Sequence, residues 1–204
     1  MPRRFRCLAV ACVVLALLAM TSCHAEEPQS TPTVSTLTPE PAQRDIEEFE
    51  MSCPALESDG SIPVRFAGRG IDGGLNVSLP FRWSESPAGT RSFALVVVDR
   101  NPIANDWVHW VVVGIPERTT SLPENASLRL MPTGSLESKN TFGEVGYGGP
   151  QPPAGSGEHT YEAVLYALEV DELELSDEPS FAEFTAAAEA VATGRASTSG
   201  TFEQ

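Results

Sequence analysis

Residues 146–161 read GYGGPQPPAGSGEHTY, and this stretch is the most informative in the 204-residue chain. It holds five glycines and three prolines in sixteen residues, and it delivers His159 to the start of an apolar run. Glycine permits positive φ and close backbone approach, whereas proline fixes φ and stiffens the chain. The loop therefore predicts a rigid backbone that presents one imidazole at the rim of a sheet. An ordinary surface turn is the alternative when the loop is considered alone.

A second unusual segment, residues 99–110, reads DRNPIANDWVHW. Asp99 ends an apolar run, where a carboxylate is costly unless it is hydrogen-bonded or lies near a cavity mouth. His109 lies within the next apolar run and needs a hydrogen-bond partner, for which Asp99 or a loop carbonyl is a candidate. Strict strand alternation predicts two faces, one with Trp107, His109 and Val111 and the other with Val108, Trp110 and Val112.

The two histidines lie at the two most unusual loop–strand junctions of the chain. A lone histidine in a strand is more often a core residue with a satisfied hydrogen bond, which is the simpler interpretation of His109. The chain has three histidines, however, and His24 lies near the N-terminus. Because His109 and His159 adjoin the two unusual segments, we expect them to share a site.

The N-terminus predicts export. Three arginines at positions 3, 4 and 6 precede an apolar run, Cys7–Met20, which is too short for a membrane span and typical of a signal peptide. Residues 1–23 end in Met-Thr-Ser-Cys and resemble a bacterial lipoprotein signal, in which Cys23 is lipidated after cleavage. Met20 stands where such signals usually carry leucine, and an ordinary secretory signal cut nearby is the alternative.

The net charge of the chain limits the classes of partner that we expect it to bind. The chain carries 13 basic and 28 acidic residues, and loss of residues 1–23 removes three of the basic ones, which leaves a net charge of −18. This balance argues against nucleic acid as a partner and against electrostatic adhesion to anionic lipid. We expect membrane association through the lipid anchor alone.

Cysteine usage predicts no disulfide framework. Cys7 and Cys12 leave with the signal, and Cys53 remains as a lone thiol. A Cys23–Cys53 pair stays open if Cys23 is not lipidated.

Residues 24–44 form a predicted tether before a single domain at residues 45–204. Residues 25–44 hold four prolines and six serines or threonines, with almost no large apolar side chain. Such a segment buries too little surface to fold and spans about 60 Å at roughly 3.1 Å per residue when extended.

Within the domain, apolar and β-branched runs predict strands, and no regular helix alternates with them, which favours a sandwich or mixed β fold. The predicted strands are Ile46–Cys53, Asn76–Trp83 at an edge or bulge because of Pro80, Phe93–Val98, Val108–Ile115 and Tyr161–Val170. A capping box at Ser180 and Glu183 predicts one late helix. Its apolar positions are Phe181, Phe184, Ala188 and Val191, with Gly194 as the C-terminal stop.

These segments resemble the conserved regions of the phosphatidylethanolamine-binding proteins, also called Raf kinase inhibitor proteins, in their bacterial branch. The family's first region runs Asp-Pro-Asp-Ala-Pro, then an aromatic residue, then His-Trp; here it reads DRNPI at 99–103 and WVHW at 107–110. The second runs Gly-Tyr-Gly-Gly-Pro-x-Pro-Pro-x-Gly and then His-Arg-Tyr, matched by residues 146–155 and 159–161. The flanking NVSLPFRW, SPAGTRSFALVVVD and GTFE also match, so the resemblance covers about residues 45–204.

The resemblance implies a mainly β fold with a C-terminal helix, in which a large central antiparallel sheet packs against a smaller sheet. It also implies a small pocket for anions such as a phosphoryl head group, lined by Asp99, Asn101, His109, Pro152, Pro153, His159 and Tyr161. Ring N–H groups, loop amides and the tyrosine hydroxyl are suitable donors for an anion. Two positions depart from the family pattern: Asn101 replaces an aspartate and Thr160 replaces an arginine, and Arg100 is a candidate to compensate for the lost cation.

We therefore expect an exported, lipid-anchored binding protein that is not an enzyme, needs no cofactor and holds a small phosphorylated or carboxylated ligand. A kinase or peptidase is the expected protein partner, since the family includes such inhibitors. A metal-dependent hydrolase using His109, His159 and Asp99 is the alternative, because two histidines and a carboxylate suit a transition metal. A structural envelope protein with a vestigial pocket is the third hypothesis.

Overall fold

The computed structural model of the chain describes residues 46–204, which belong to one compact unit, Ala42–Gln204. The predicted signal, the tether and Cys23 lie outside the described residues. Apart from a short 3₁₀ helix at Val64–Phe66, residues 46–204 form nine strands and one α-helix, in chain order: β1 (Glu47–Glu48), β2 (Met51–Ser52), β3 (Phe81–Trp83), β4 (Ser92–Asp99), β5 (Trp107–Pro116), β6 (Ser121–Leu122), β7 (Leu136–Glu137), β8 (His159–Leu168), α1 (Phe181–Glu189) and β9 (Ala192–Phe202). No helix within residues 46–204 is long and apolar enough to cross a membrane.

Two sheets organise these strands. The large sheet has the order β1-β9-β8-β4-β5-β7, and the small sheet has the order β2-β3-β6. All eight residues of β4 are buried, as expected for a central strand with packing on both faces. The prediction of a mainly β fold with a large sheet, a smaller sheet and a late helix is confirmed. The large sheet is mixed rather than antiparallel, because β1 pairs with β9 in parallel.

One hydrophobic cluster lies on each face of the large sheet. The first joins the large sheet to the small one and includes Trp83, Phe93 and Trp110. The second lies under α1 and includes Val111, Tyr166 and Phe184. Because residues 46–204 hold both clusters and every strand, this unit contains the core that it needs to fold.

Two predicted strands are shorter than the sequence indicated. The predicted strand Ile46–Cys53 is divided into β1 and β2, which belong to different sheets. Of the predicted strand Asn76–Trp83, only Phe81–Trp83 is a strand in the structure. The residues before Pro80 turn at Asn76, whose φ is 55°. Proline lacks the N–H that a ladder needs, so the strand forms beyond it.

The predicted helix is confirmed, but its end is not Gly194. Ser180 caps α1 by accepting a hydrogen bond from the Glu183 amide, and the helix ends at Glu189. Gly194 lies inside β9, opposite Glu47. A Cβ at this position would lie 2.6 Å from Pro87 Cγ and 3.0 Å from the Glu47 carbonyl oxygen, so close strand packing, not helix termination, explains this glycine.

A β-bulge at His109 overturns the predicted strand faces. Val98 pairs with Val108 and Val97 pairs with Trp110, so His109 is the extra residue of β5. Val108 consequently shares a cluster with Val111, and Trp110 lies in the other cluster. Bulges commonly redirect a side chain beside a functional site.

Candidate functional site

A cavity of about 290 Å³ lies where the C-terminal end of β4 meets the starts of β5 and β8. Six of the seven residues expected at the pocket line it, namely Asp99, His109, Pro152, Pro153, His159 and Tyr161. Five further residues complete the wall: Ile103, Ala104, Trp107, Phe142 and Gln151. The fold thus brings the glycine-proline loop and the Asp99–Trp110 segment together.

Asp99 and His159 form a buried pair at the base of this cavity. His159 Nδ1 lies 2.6 Å from Asp99 Oδ2, and the two side chains are 1% and 5% exposed. Since a carboxylate accepts, Nδ1 carries the proton of this bond. The other Asp99 oxygen accepts from the Asn101 amide at 2.8 Å. Asp99 therefore fixes both the histidine ring and the turn that follows β4.

Ser156 lies within hydrogen-bond distance of the other ring nitrogen of His159, Nε2. Its Oγ lies 3.0 Å from His159 Nε2 and 2.7 Å from the Pro153 carbonyl oxygen, to which the hydroxyl donates. Both ring nitrogens of His159 thus have partners within the protein.

His109 and Gly148 hold each other through two hydrogen bonds. His109 Nδ1 donates to the Gly148 carbonyl oxygen at 2.6 Å, and the Gly148 amide donates to the His109 carbonyl oxygen at 2.8 Å. Burial lowers the pKa of His109 to about 4, although the Gly148 and Gly149 carbonyls and the Asp99 charge act in the opposite direction. The ring is therefore neutral at pH 7, with its proton on Nδ1 and a lone pair on Nε2.

Two polar groups at the cavity are unpartnered. The Tyr161 hydroxyl and Trp107 Nε1 are buried and form no hydrogen bond of standard geometry with a described residue. Burial, followed by the negative charge of Asp99 and the interaction of its carboxylate with the hydroxyl, raises the pKa of Tyr161 far above its usual value, so the hydroxyl keeps its proton. Each group can donate one hydrogen bond, and a buried donor without a partner is costly.

Close backbone contacts, which leave no room for a side chain, fix the shape of the glycine-proline loop. A Cβ on Gly149 would lie 2.2 Å from the Phe66 carbonyl oxygen. Asn76 clamps the same region, since its amide nitrogen donates to the Tyr147 carbonyl oxygen and its oxygen accepts from the Gly149 amide. Glycine at 149 is therefore required by close backbone approach.

The two departures from the family pattern lie outside the cavity wall. Asn101, which we expected at the pocket, does not line it; its side chain accepts from the Ile103 amide and donates to the Glu158 carbonyl oxygen. Thr160 is exposed on β8. Arg100 pairs with Asp106 and Glu162 and brings no cation to the cavity.

Sequence reasoning missed the apolar part of the wall. Trp107 was predicted only as one member of a strand face, yet it lines the cavity and packs edge-on against Phe142. Phe142 also meets the His109 ring edge-on, with ring centroids 5.6 Å apart. Phe142 lies outside both motifs, so the sequence carried no signal for it.

The metal-hydrolase alternative gains no support from this geometry. Within residues 46–204 there is no group of three or more histidine, cysteine, aspartate or glutamate side chains placed to hold a metal ion. Asp99 and His159 Nδ1 are bonded to each other, and His109 Nδ1 is bonded to a carbonyl.

Comparison with known proteins identifies the family. The family model described as phosphatidylethanolamine-binding protein matches residues 52–203, and the chain belongs to this family. The crystal structure of Escherichia coli YbcL, described as a new member of the mammalian PEBP family, superposes with a TM-score of 0.69 at 30% identity. That superposition covers 77% of this chain and 99% of YbcL. A Chlamydia trachomatis homologue, CT736, gives a TM-score of 0.62 at 26% identity over 78% of this chain and 99% of CT736.

Sequence relatives agree. The chain is 40% identical to YbcL of Escherichia coli K12 over 119 residues, which are 56% of this chain and 64% of that protein, just under two thirds of its length. It is 37% identical over 176 residues to LppC of Mycobacterium tuberculosis H37Rv, whose name designates a candidate lipoprotein; the match covers 86% of this chain and 81% of LppC.

Proposed function

We propose that this protein binds a small phosphorylated ligand in the cavity lined by Asp99, His109 and His159. The observation that carries the proposal is the pair of unpartnered donors there, Tyr161 Oη and Trp107 Nε1, beside the His109 ring, whose Nε2 carries a lone pair when Nδ1 holds the proton. Apolar side chains such as Ile103 and Phe142 surround them. A concave, mainly apolar site with a few convergent polar groups is the usual form of a small-molecule site.

The protonation of these groups selects the ligand. Arginine and lysine do not line the cavity, and the Asp99 charge is already bonded to His159. Because neutral His109 offers a lone pair at Nε2, the best ligand brings its own proton to that atom. A phosphate monoester monoanion does so, since its P–OH group donates to His109 while its other oxygens accept from Tyr161 and Trp107. A carboxylate at neutral pH offers no such proton.

We further propose an exported, lipid-anchored protein, with Cys23 as the lipidated residue. Two observations support this: the basic and apolar residues before Cys23, and the similarity to LppC. The anchor holds the binding unit at the outer face of the membrane. Inhibition of a kinase or peptidase remains the expected role towards a protein partner.

Isothermal titration of residues 42–204 with phosphoethanolamine tests the binding proposal. We expect one site, weakened about tenfold in Tyr161→Phe, because a hydrogen bond to a charged ligand is lost while the fold keeps its packing. Glu117→Gln, on an exposed loop, is the control and should bind as the parent does. A folded protein that binds nothing at millimolar ligand would overturn the proposal.

One observation favours a second candidate function, ester hydrolysis. Ser156 Oγ, His159 Nε2, His159 Nδ1 and Asp99 form a hydrogen-bonded chain in the order of a serine hydrolase triad. Ser156 does not line the cavity, and its hydroxyl also donates to Pro153, so binding is the better supported function. Labelling by a fluorophosphonate probe that is abolished in Ser156→Ala would establish the hydrolase, and an absence of labelling would dismiss it.

A further inference from the structure

A second cavity, of about 540 Å³, lies on the other side of the loop that Asn76 clamps. Its wall contains two arginines, Arg69 and Arg129, two leucines, Leu75 and Leu128, and two asparagines, Asn76 and Asn125. It is separate from the His109 cavity, with which it shares no lining residue.

The two arginines have no ion-pair partner among residues 46–204, a property that they share with Arg82 on the small sheet. Five other arginines of the described unit form ion pairs, namely Arg65, Arg91, Arg100, Arg118 and Arg195. Neither the Arg69 nor the Arg129 guanidinium forms a hydrogen bond or ion pair with any residue in 46–204. In a chain of net charge −15, two free cations at one cavity are a local exception.

The cavity wall also stores backbone strain. Five residues other than glycine adopt positive φ in the described unit, and three of them line this cavity: Asn76 at 55°, Asn125 at 63° and Leu128 at 58°. Asparagine tolerates this conformation, but leucine does so at a cost. Leu128 is also 66% exposed, so burial of its side chain does not offset the strain. Strained residues of this kind concentrate at functional sites.

The base of the cavity is rigid and leaves few groups free. Ser127 Oγ donates to Glu137 Oε1 at 2.6 Å, and the Leu128 amide donates to Glu137 Oε2 at 2.8 Å. Asn76 uses both ends of its amide on the adjoining loop. The side-chain donors that remain available at the wall are therefore the two guanidinium groups, the Asn125 amide and the Ser78 hydroxyl, whose oxygen accepts from the Ser127 amide; all of them suit an anion.

We propose that this cavity is a second anion site, which takes a phosphate group carried on an apolar moiety. Arg69 and Arg129 donate to different phosphate oxygens, and Leu75 and Leu128 cover the apolar part. Two guanidinium forks suit the several oxygens of a tetrahedral phosphate, whereas a planar carboxylate is satisfied by one fork. This site does not depend on the function proposed for the His109 cavity.

Titration of ¹⁵N-labelled residues 42–204 with hexyl phosphate tests the proposal. We expect amide shifts at residues 74–78 and 125–129, with affinity reduced about a hundredfold in Arg69→Gln/Arg129→Gln because each lost charge contact weakens binding about tenfold. The matched control is Arg82→Gln, which removes an exposed arginine from the small sheet and should bind within about twofold of the parent. Absence of those shifts, or equal shifts in the double variant, overturns the proposal.

The same spectra separate the two sites. Amide shifts at residues 148–157 that persist in Arg69→Gln/Arg129→Gln report binding in the His109 cavity. Shifts at residues 125–129 without shifts at 148–157 indicate that hexyl phosphate binds only in the second cavity. Sedimentation with phosphatidylglycerol vesicles, but not phosphatidylcholine vesicles, assigns the phosphate to a lipid head group. Binding of hexyl phosphate without vesicle binding assigns it to a soluble organic phosphate.

Discussion

His109 and Gly148 are joined by reciprocal hydrogen bonds, one through the imidazole and one through the backbone, across a β-bulge. The bulge takes the histidine out of strand alternation, and the Gly148 carbonyl fixes its proton on Nδ1. These two hydrogen bonds connect the glycine-proline loop to β5. Because they hold the proton of neutral His109 on Nδ1, the lone pair of the ring is on Nε2.

Stability should decrease in acid because of His109. Its pKa falls from the ordinary 6.5 to about 4 on burial, so between these values the unfolded chain binds a proton that the folded chain does not. The stabilisation is complete above pH 6.5 and is lost as the pH falls towards 4. The shift corresponds to about 3 kcal/mol. Urea denaturation at pH 7, 5.5 and 4.5 measures the slope.

Carboxylates also change protonation between pH 7 and 4.5, so a His109 variant is needed to isolate the contribution of this histidine to the pH dependence of stability. In His109→Gln, whose amide can still donate to Gly148, the loss between pH 7 and 4.5 should be smaller than in the parent. Asp99 and His159, the charged groups that act on His109, are present in both proteins. Equal pH slopes for the two proteins would show that His109 does not titrate in this way.

Ligand binding should also depend on pH, through the ligand. The second pKa of a phosphate monoester is about 6, so the P–OH group that His109 Nε2 accepts from is lost above that pH. We expect phosphoethanolamine to bind more tightly at pH 5.5 than at pH 8, with proton uptake at pH 7. Calorimetry in two buffers of different ionisation enthalpy measures that uptake. Tighter binding at pH 8 with proton release would instead favour a dianion, and a pH-independent affinity would show that both ionisation states bind equally.

The central strands and both motifs could be predicted from the sequence, because β4, β5 and β8 are continuous apolar runs. β9 could not, since it reads ATGRASTSGTF and carries almost no large apolar residue. Its buried positions are the small residues Ala192, Gly194, Ala196 and Gly200, and its hydrogen bonds to β8, rather than local propensity, make it a strand.

The site was predictable as a set of residues but not as a set of bonds. The sequence offered Asp99 or a loop carbonyl as partner for His109; the fold gives the carbonyl to His109 and Asp99 to His159. That assignment depends on the bulge, which one sequence does not display. The motif also placed Asn101 at the pocket, whereas its amide is used within the turn after β4.

Two glycines of the loop should respond differently to alanine. In Gly149→Ala the new Cβ meets the Phe66 backbone at 2.2 Å, so the loop must move, and we expect a loss of about 3 kcal/mol in stability. Gly155 has φ of 77° with open space around it, so Gly155→Ala should cost about 1 kcal/mol. Thermal denaturation of the two variants gives the comparison, and equal losses would contradict the close-approach argument.

Leu128→Gly should separate stability from binding at the second cavity. Glycine adopts positive φ without strain, so we expect the variant to be more stable by about 0.5–1 kcal/mol, after allowing for the greater entropy of its unfolded chain. The matched control is Leu130→Gly: Leu130 is 60% exposed but lacks positive φ, so its variant should lose stability. Leu128→Gly should at the same time bind hexyl phosphate more weakly than the parent, because the apolar cover is gone. We expect a protein to keep a leucine in a strained, exposed position, at the expense of stability, where the side chain contacts a ligand. If Leu128→Gly gained stability without losing affinity for hexyl phosphate, that explanation would be wrong.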